Sequence, residues 1–157
     1  MARTLAADYL VVGAGASGMA FVDTLVTDTD ASVVMVDRRE GAGGHWRDAY
    51  PFVRLHQPSA CYGIASMPLG GDGPDPESPD EDFGERATGA EIVAYYDAAL
   101  EMLRGTGRVE FVGGADYFGD RRVRLASGDE VVVESAKVVD ATRMQAEVPS
   151  LSPPKFE

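Results

Sequence analysis

Residues 7–18, Ala-Asp-Tyr-Leu-Val-Val-Gly-Ala-Gly-Ala-Ser-Gly, decide the fold. Tyr9 to Val12 are a short apolar run of aromatic and β-branched residues, the composition of a buried strand. The run stops at Gly13, and Gly13, Gly15 and Gly18 then fall at the spacing G-x-G-x-x-G. Beyond them Phe21, Val22, Leu25 and Val26 share one face of a predicted helix. Each glycine has a separate task in such a strand–turn–helix unit. Gly13 permits the tight turn, Gly15 keeps side-chain atoms away from a passing pyrophosphate, and Gly18 lets helix and strand pack closely. The start of the helix turns unpaired N–H groups and a positive dipole end toward that phosphate. A second predicted strand, Ser32 to Val36, ends in Asp37, about 20 residues past the last glycine, where an acid accepts hydrogen bonds from a ribose. Strand, glycines, helix, strand and acid in this order say far more than the glycine spacing alone.

Outward from this unit the chain changes character several times. Gly41-Ala-Gly-Gly-His-Trp46 reads as a loop held close to something flat or charged, and Tyr50-Pro-Phe-Val-Arg-Leu-His-Gln-Pro58 as an ordered, apolar loop lining a site. Residues 70–87 are glycine, proline and acids around Phe83, the composition of a mobile, solvated acidic loop. Thr88 with Glu91 is a capping-box pattern. It opens a helix whose stripe is Ile92, Tyr96, Ala99 and Leu103, with Gly105 as its stop. From Arg108 the period falls to two. Strands are expected at Val109–Val112, Asp116–Phe118, Val123–Leu125, Val131–Val133 and Lys137–Ala141, with turns at Gly119-Asp120 and Ser127-Gly128-Asp129. The expected class is α/β, a Rossmann-like parallel sheet of the FAD/NAD(P)-binding type with an added β-meander. One domain spans 1–147, and 148–157 reads as a linker toward a missing C-terminal part.

The chain has 157 residues, 45% of them hydrophobic, enough for one real core. No apolar run approaches the roughly 20 residues of a membrane span. The formal charge of −12 argues against nucleic acid and anionic membrane surfaces as partners. One cysteine rules out an internal disulfide and suits a cytoplasmic protein. With only His45 and His56 as histidines, no metal site is expected. Cys61 lacks a C-x-x-C partner and reads as a small packed residue. Ser17 belongs to a phosphate loop and not to a nucleophile elbow. Tyr95 and Tyr96 are expected on the core and surface sides of one helix. Trp46 either stacks on a cofactor or packs beneath its loop, and His56 is either an acid–base group or a hydrogen-bonded loop residue.

The chain resembles the flavin-containing and Baeyer–Villiger-type monooxygenases among the NAD(P)/FAD-dependent oxidoreductases. The resemblance rests on Asp8 to Met19, on Val33-Val-Met-Val-Asp-Arg38, on Gly43-Gly-His-Trp46, which is similar to their Gly-Gly-Thr-Trp segment, on Tyr50-Pro-Phe-Val-Arg-Leu-His56, and on Val138-Val-Asp-Ala-Thr142. It implies FAD in an extended pose. Gly13, Gly15, Ala16, Ser17 and Gly18 would cradle the pyrophosphate, and Asp37 would hold the adenosine ribose, with Arg38 at the adenine end. Gly44, His45 and Trp46 would line the path to the flavin, and Arg54, Leu55 and His56 would lie near its ring. Backbone near Phe111 and Ala115 would meet the adenine, and Thr142 would close over the phosphates. The implied activity is flavin-borne oxidoreduction with NAD(P)H as electron donor and a small-molecule substrate. The alternative is a non-catalytic chain that binds a nucleotide or a partner. Asp37 departs from the more usual Glu, and Arg143 stands where many relatives have Gly. The second G-x-G-x-x-G used for NADPH and the Baeyer–Villiger fingerprint are both absent from the sequence. The chain therefore reads as the N-terminal FAD-binding part of a longer enzyme.

Overall fold

The computed structural model describes residues 3–71, 73–80 and 83–142. Strand β1 (Arg3–Val12) leads into helix α1 (Ala16–Asp28) and strand β2 (Val33–Val36). A small hairpin follows, β3 (Gly63–Ile64) with β4 (Met67–Pro68), then helix α2 (Gly89–Gly105). The chain continues through β5 (Val109–Val112), β6 (Ala115–Tyr117), β7 (Arg122–Leu125) and β8 (Glu130–Asp140).

Six strands form one sheet in the order β5-β2-β1-β8-β7-β6. The β5/β2, β2/β1 and β1/β8 pairs are parallel, and β8/β7 and β7/β6 are antiparallel. This is the expected Rossmann-like sheet with its meander. All four residues of β2 are buried, which is why Val33 to Val36 read as an unbroken apolar run. Val11, Val33, Met35 and Val109 pack with α1 and α2 on one face, whereas Leu10, Val12, Val34, Val36, Val123, Val131 and Val133 form a second cluster on the other.

The α2 reading holds in detail. Thr88 caps Glu91 N–H while the Glu91 carboxylate accepts from Thr88 N–H at 2.7 Å, and Ile92, Tyr96, Ala99 and Leu103 are buried. Gly105 is the last helical residue, and the left-handed position that ends the element is Gly107 (φ 73°).

Other expectations need correction. The two strands expected at 131–133 and 137–141 are one, because Glu134-Ser-Ala-Lys137 contains no Gly, Pro, Asn or Asp to break it and Val131–Asp140 registers against Arg3–Val12. Its first half also pairs with β7, so a single strand ends the meander and joins the parallel sheet. Tyr95 and Tyr96 are both buried; the Tyr95 hydroxyl accepts from Ile64 N–H at 2.7 Å and donates to the Met67 carbonyl, pinning the hairpin to α2. Burial raises the Tyr95 phenol above its ordinary value and pushes that of Tyr96 up to about 12. Cys61 is exposed instead of packed. The acidic loop is not solvated throughout. Asp75 is only 3% exposed, and its carboxylate accepts from Arg86 Nε at 2.5 Å and from Glu77 N–H at 2.8 Å. Arg143 and the proposed linker 148–157 lie outside the described residues.

Candidate functional site

The strand order reverses between β1 and β8, so the connections from β1 and β2 run to one side and β8 lies on the other. In open α/β sheets such a reversal leaves a crevice beyond the carboxyl ends of the strands. Here the crevice measures about 560 Å³. The ends of β1 (Val12, Gly13), β2 (Val36, Asp37) and β8 (Asp140 to Thr142) line it, together with Gly15, Ala16 and Ser17 at the start of α1. Arg38, Arg39, Gly44, His45 and the β6 residues Ala115, Asp116 and Tyr117 complete the wall.

The turn at its base is tightly specified. Gly13 has φ 102°, and a Cβ there would stand 3.2 Å from Thr142 Cγ2. A Cβ on Gly18 would overlap the Gly13 carbonyl oxygen, the close helix–strand packing expected of the third glycine. Gly18 is thus buried under the turn and does not line the crevice. Gly15 differs from both. Its φ is −75°, open to any residue, and among the described residues a Cβ there would meet only Gly44 Cα, at an ordinary 3.7 Å. Gly15 is also the N-cap of α1 and provides no capping side chain, and no acid lies in the helix's first turn. The first amides of α1 are therefore left for an anion.

Asp37 is 7% exposed and ties this turn together. Its Oδ2 accepts from Ala14 N–H at 2.7 Å and its Oδ1 from Arg39 N–H at 2.8 Å. Each carboxylate oxygen retains a further lone pair. Gly43 N–H donates to the Ala14 carbonyl at 2.8 Å, joining the 41–48 segment to the glycine turn. Gly43 (φ 113°) and Gly44 (φ 58°) then start a short 3₁₀ turn, Gly44–Asp48, that carries His45 into the crevice wall. Burial, then the nearby Arg39, push the His45 imidazole below its ordinary value, and Asp48 opposes them. The Asp48 carboxyl is held low by its hydrogen bond from Arg39.

Of the residues named from the sequence, the crevice brings together Gly13, Gly15, Ala16, Ser17, Asp37, Arg38, Gly44, His45, Ala115 and Thr142. Trp46 packs on the α1/α2 core beside His45, their ring centroids 5.0 Å apart. Leu55 is a core residue, His56 is exposed, and Arg54 reaches Glu77 at 3.2 Å. Phe111 packs against the α1/α2 core and borders a shallow groove with Glu101 and Arg104 at the end of α2. Arg39, Asp116, Tyr117 and Asp140 were not singled out from the sequence. The β6 pair could only have been found by knowing that the meander folds back over β2. Among the described residues no group of three His, Cys, Asp or Glu converges as a metal site, and no helix is long and apolar enough to cross a membrane.

A family model described as an NAD(P)-binding Rossmann-like domain matches residues 11–67. Uncharacterized proteins of Mycobacterium tuberculosis and Mycobacterium bovis are 50% identical over 99% of this chain, which spans 29% of their length. Among solved structures, a flavin-containing monooxygenase from Stenotrophomonas maltophilia is similar with TM-score 0.60 and 22% identity, covering 88% of this chain and 38% of that one. Cyclohexanone monooxygenase from Rhodococcus sp. Phi1, solved with NADP+, gives TM-score 0.60 at 22% identity over 97% of this chain and 28% of its own. A steroid monooxygenase bound to NADP gives TM-score 0.55 at 23% identity over 92% of this chain and 28% of its own. With its glycine turn, its switch-point crevice and its meander, the chain has the Rossmann-like fold of the flavin-containing and Baeyer–Villiger-type monooxygenases.

Proposed function

We propose that the crevice holds FAD and that the chain is the FAD-binding part of a flavin-dependent, monooxygenase-like oxidoreductase using NAD(P)H. The observation that carries this is Gly15. Gly13 is demanded by its backbone angle and Gly18 by the Gly13 carbonyl, but nothing among the described residues demands glycine at 15. A bare position there serves something in the crevice, and the uncapped amides of α1 beside it suit a diphosphate. The main-chain N–H groups of Ala16 and Ser17 would face the diphosphate, and Asp37 would accept from the adenosine ribose with its remaining lone pairs. Arg38 and the backbone at Ala115 would border the adenine, and Thr142 would close the far side. FAD, when bound, supplies the oxidation–reduction chemistry. The protein's part is to orient that group and to hold water away from the buried turn.

Titration of the purified chain with FAD, followed by the visible spectrum and by flavin fluorescence, tests the reading. Saturable uptake is expected, and Gly15→Val should abolish it while the circular dichroism of the fold persists. A folded chain that takes up no FAD would overturn the proposal. A second reading is a non-catalytic nucleotide-binding chain, and the match to an NAD(P)-binding family model makes NAD(P) its candidate ligand. NAD titrated side by side with FAD separates the ligands. NAD(P)H oxidation by the FAD-loaded chain, above the free-FAD background, separates an enzyme from a binding module.

A further inference from the structure

His45 supports an inference that rests on the FAD reading and deepens it. Gly44 is pressed against the phosphate turn, since a Cβ on Gly44 would stand 3.0 Å from Gly15 Cα. His45 is the next residue and lines the same crevice as Gly13, Gly15, Ala16 and Ser17. Its place is fixed by the two left-handed glycines before it and by the Gly43 N–H bond to Ala14. The Trp46 ring lies beside the imidazole. A hydroxyl at this position could donate a hydrogen bond but could not change charge. An imidazole can do both.

We propose that His45 is a proton-linked ligand of the FAD diphosphate, neutral in the ligand-free chain and protonated when the diphosphate lies beside it. The charged groups around it come from several elements. Arg39, Arg38 and Asp37 follow β2, Asp48 ends the residue's own turn, Asp116 lies on β6 and Asp140 ends β8. Asp48, the acid that opposes burial and Arg39 at half-buried His45, is itself already hydrogen-bonded by Arg39. A diphosphate reverses that balance. An opposite charge within about 4–6 Å raises an imidazole pKa by about one unit or more. Binding then takes up a proton, and affinity rises as pH falls between the two pKa values.

The test is the dissociation constant of FAD for this chain between pH 5.5 and pH 8.0, measured for the wild type and for His45→Gln. The wild type should bind about five- to tenfold more tightly at pH 5.5, since one unit of pKa shift is worth tenfold. His45→Gln should vary by no more than about twofold across the same range. A second readout needs no variant. The chain has two histidines, so ¹⁵N-histidine NMR follows each one, with exposed His56 as the internal control. The His45 titration should move upward on FAD addition. If FAD binds but the pH profile is unchanged in His45→Gln, or the His45 titration stays in place, this inference falls and the FAD reading stands. If the folded chain binds FAD at no pH, both fall.

Discussion

The glycine turn at 13–18 and the acidic stretch at 73–86 both lie between regular elements, both contain glycine, and they dispose of their polar groups in opposite ways. At the turn, the first amides of α1 have no capping side chain, and no acid lies in the helix's first turn. Asp37 grips the backbone there with both carboxylate oxygens and lines the crevice. Among the described residues of the acidic stretch, Asp75, Glu77 and Glu85 are held by partners in or beside the segment. The buried Asp75 holds Arg86, Arg54 reaches Glu77, Glu85 accepts from Gly71 N–H at 3.1 Å, and Asp75 N–H donates to the Phe83 carbonyl at 2.8 Å. Ser59 adds a tie at the end of the stretch, its Oγ accepting from Ala87 N–H at 2.8 Å. The lesson is that the number of charges in a segment says little about binding. Groups left open to a crevice make a site, and groups satisfied within the segment make a scaffold.

The sharpest way to break this contrast is at Gly18. Gly18→Val places side-chain atoms on the Gly13 carbonyl and should abolish cooperative folding, because neither backbone can move without opening the sheet. A cooperative melt near that of the parent would remove the packing argument. Next comes Gly15, where the effect should separate from stability. Gly15→Ala meets ordinary contact at 3.7 Å and should fold with a melting temperature close to the parent's, yet bind FAD more weakly, and Gly15→Val should lose binding altogether. If both variants bound FAD as the parent does, position 15 would be no part of the site.

Smaller effects are expected in the acidic stretch. Arg86→Ala strips the buried Asp75 of its closest cation and should speed proteolytic cleavage between residues 70 and 87 while leaving FAD affinity within about twofold. Acid should loosen the same segment. The Arg86 hydrogen bond, then the Glu77 amide, hold the Asp75 carboxyl below its ordinary 3.8, so its stabilisation is present above pH 3.8 and is lost as pH falls below that value. Protease sensitivity measured stepwise down to pH 3 checks this. The smallest change is Thr88→Ala, which removes half of the capping box and should cost about 1 kcal/mol in chemical denaturation without touching the crevice. That variant calibrates what a purely local stabilising contact is worth in this chain.

Where the sequence was readable, the determinants are neighbours along the chain. The turn needs Gly13 for a positive φ and Gly18 for a clash a few residues away, and the cap needs Thr88 and Glu91 three apart. Strand β2 is visible because four consecutive apolar residues have no other place than a sheet covered on both faces. The errors share one cause. Tyr95 under the hairpin and Asp75 in the interior each depend on what another segment brings to them, and Cys61 lies on a surface that no local pattern marks. Local pattern contains no record of Arg86 or of the Met67 carbonyl.

By itself, then, the sequence determined the β–α–β unit, the placing of Asp37 at the end of β2, the capped helix α2 and the meander turns, since short-range sterics and hydrogen bonds settle all of these. Only the tertiary structure decided that β8 is one strand serving two sheet regions, and by which contacts the 41–48 segment, set beside the cofactor path by the resemblance, presses Gly44 against Gly15. Those outcomes hang on strand register and on the Gly43–Ala14 bond across 29 residues of chain, where burial of both sheet faces, and not local propensity, chooses the partner.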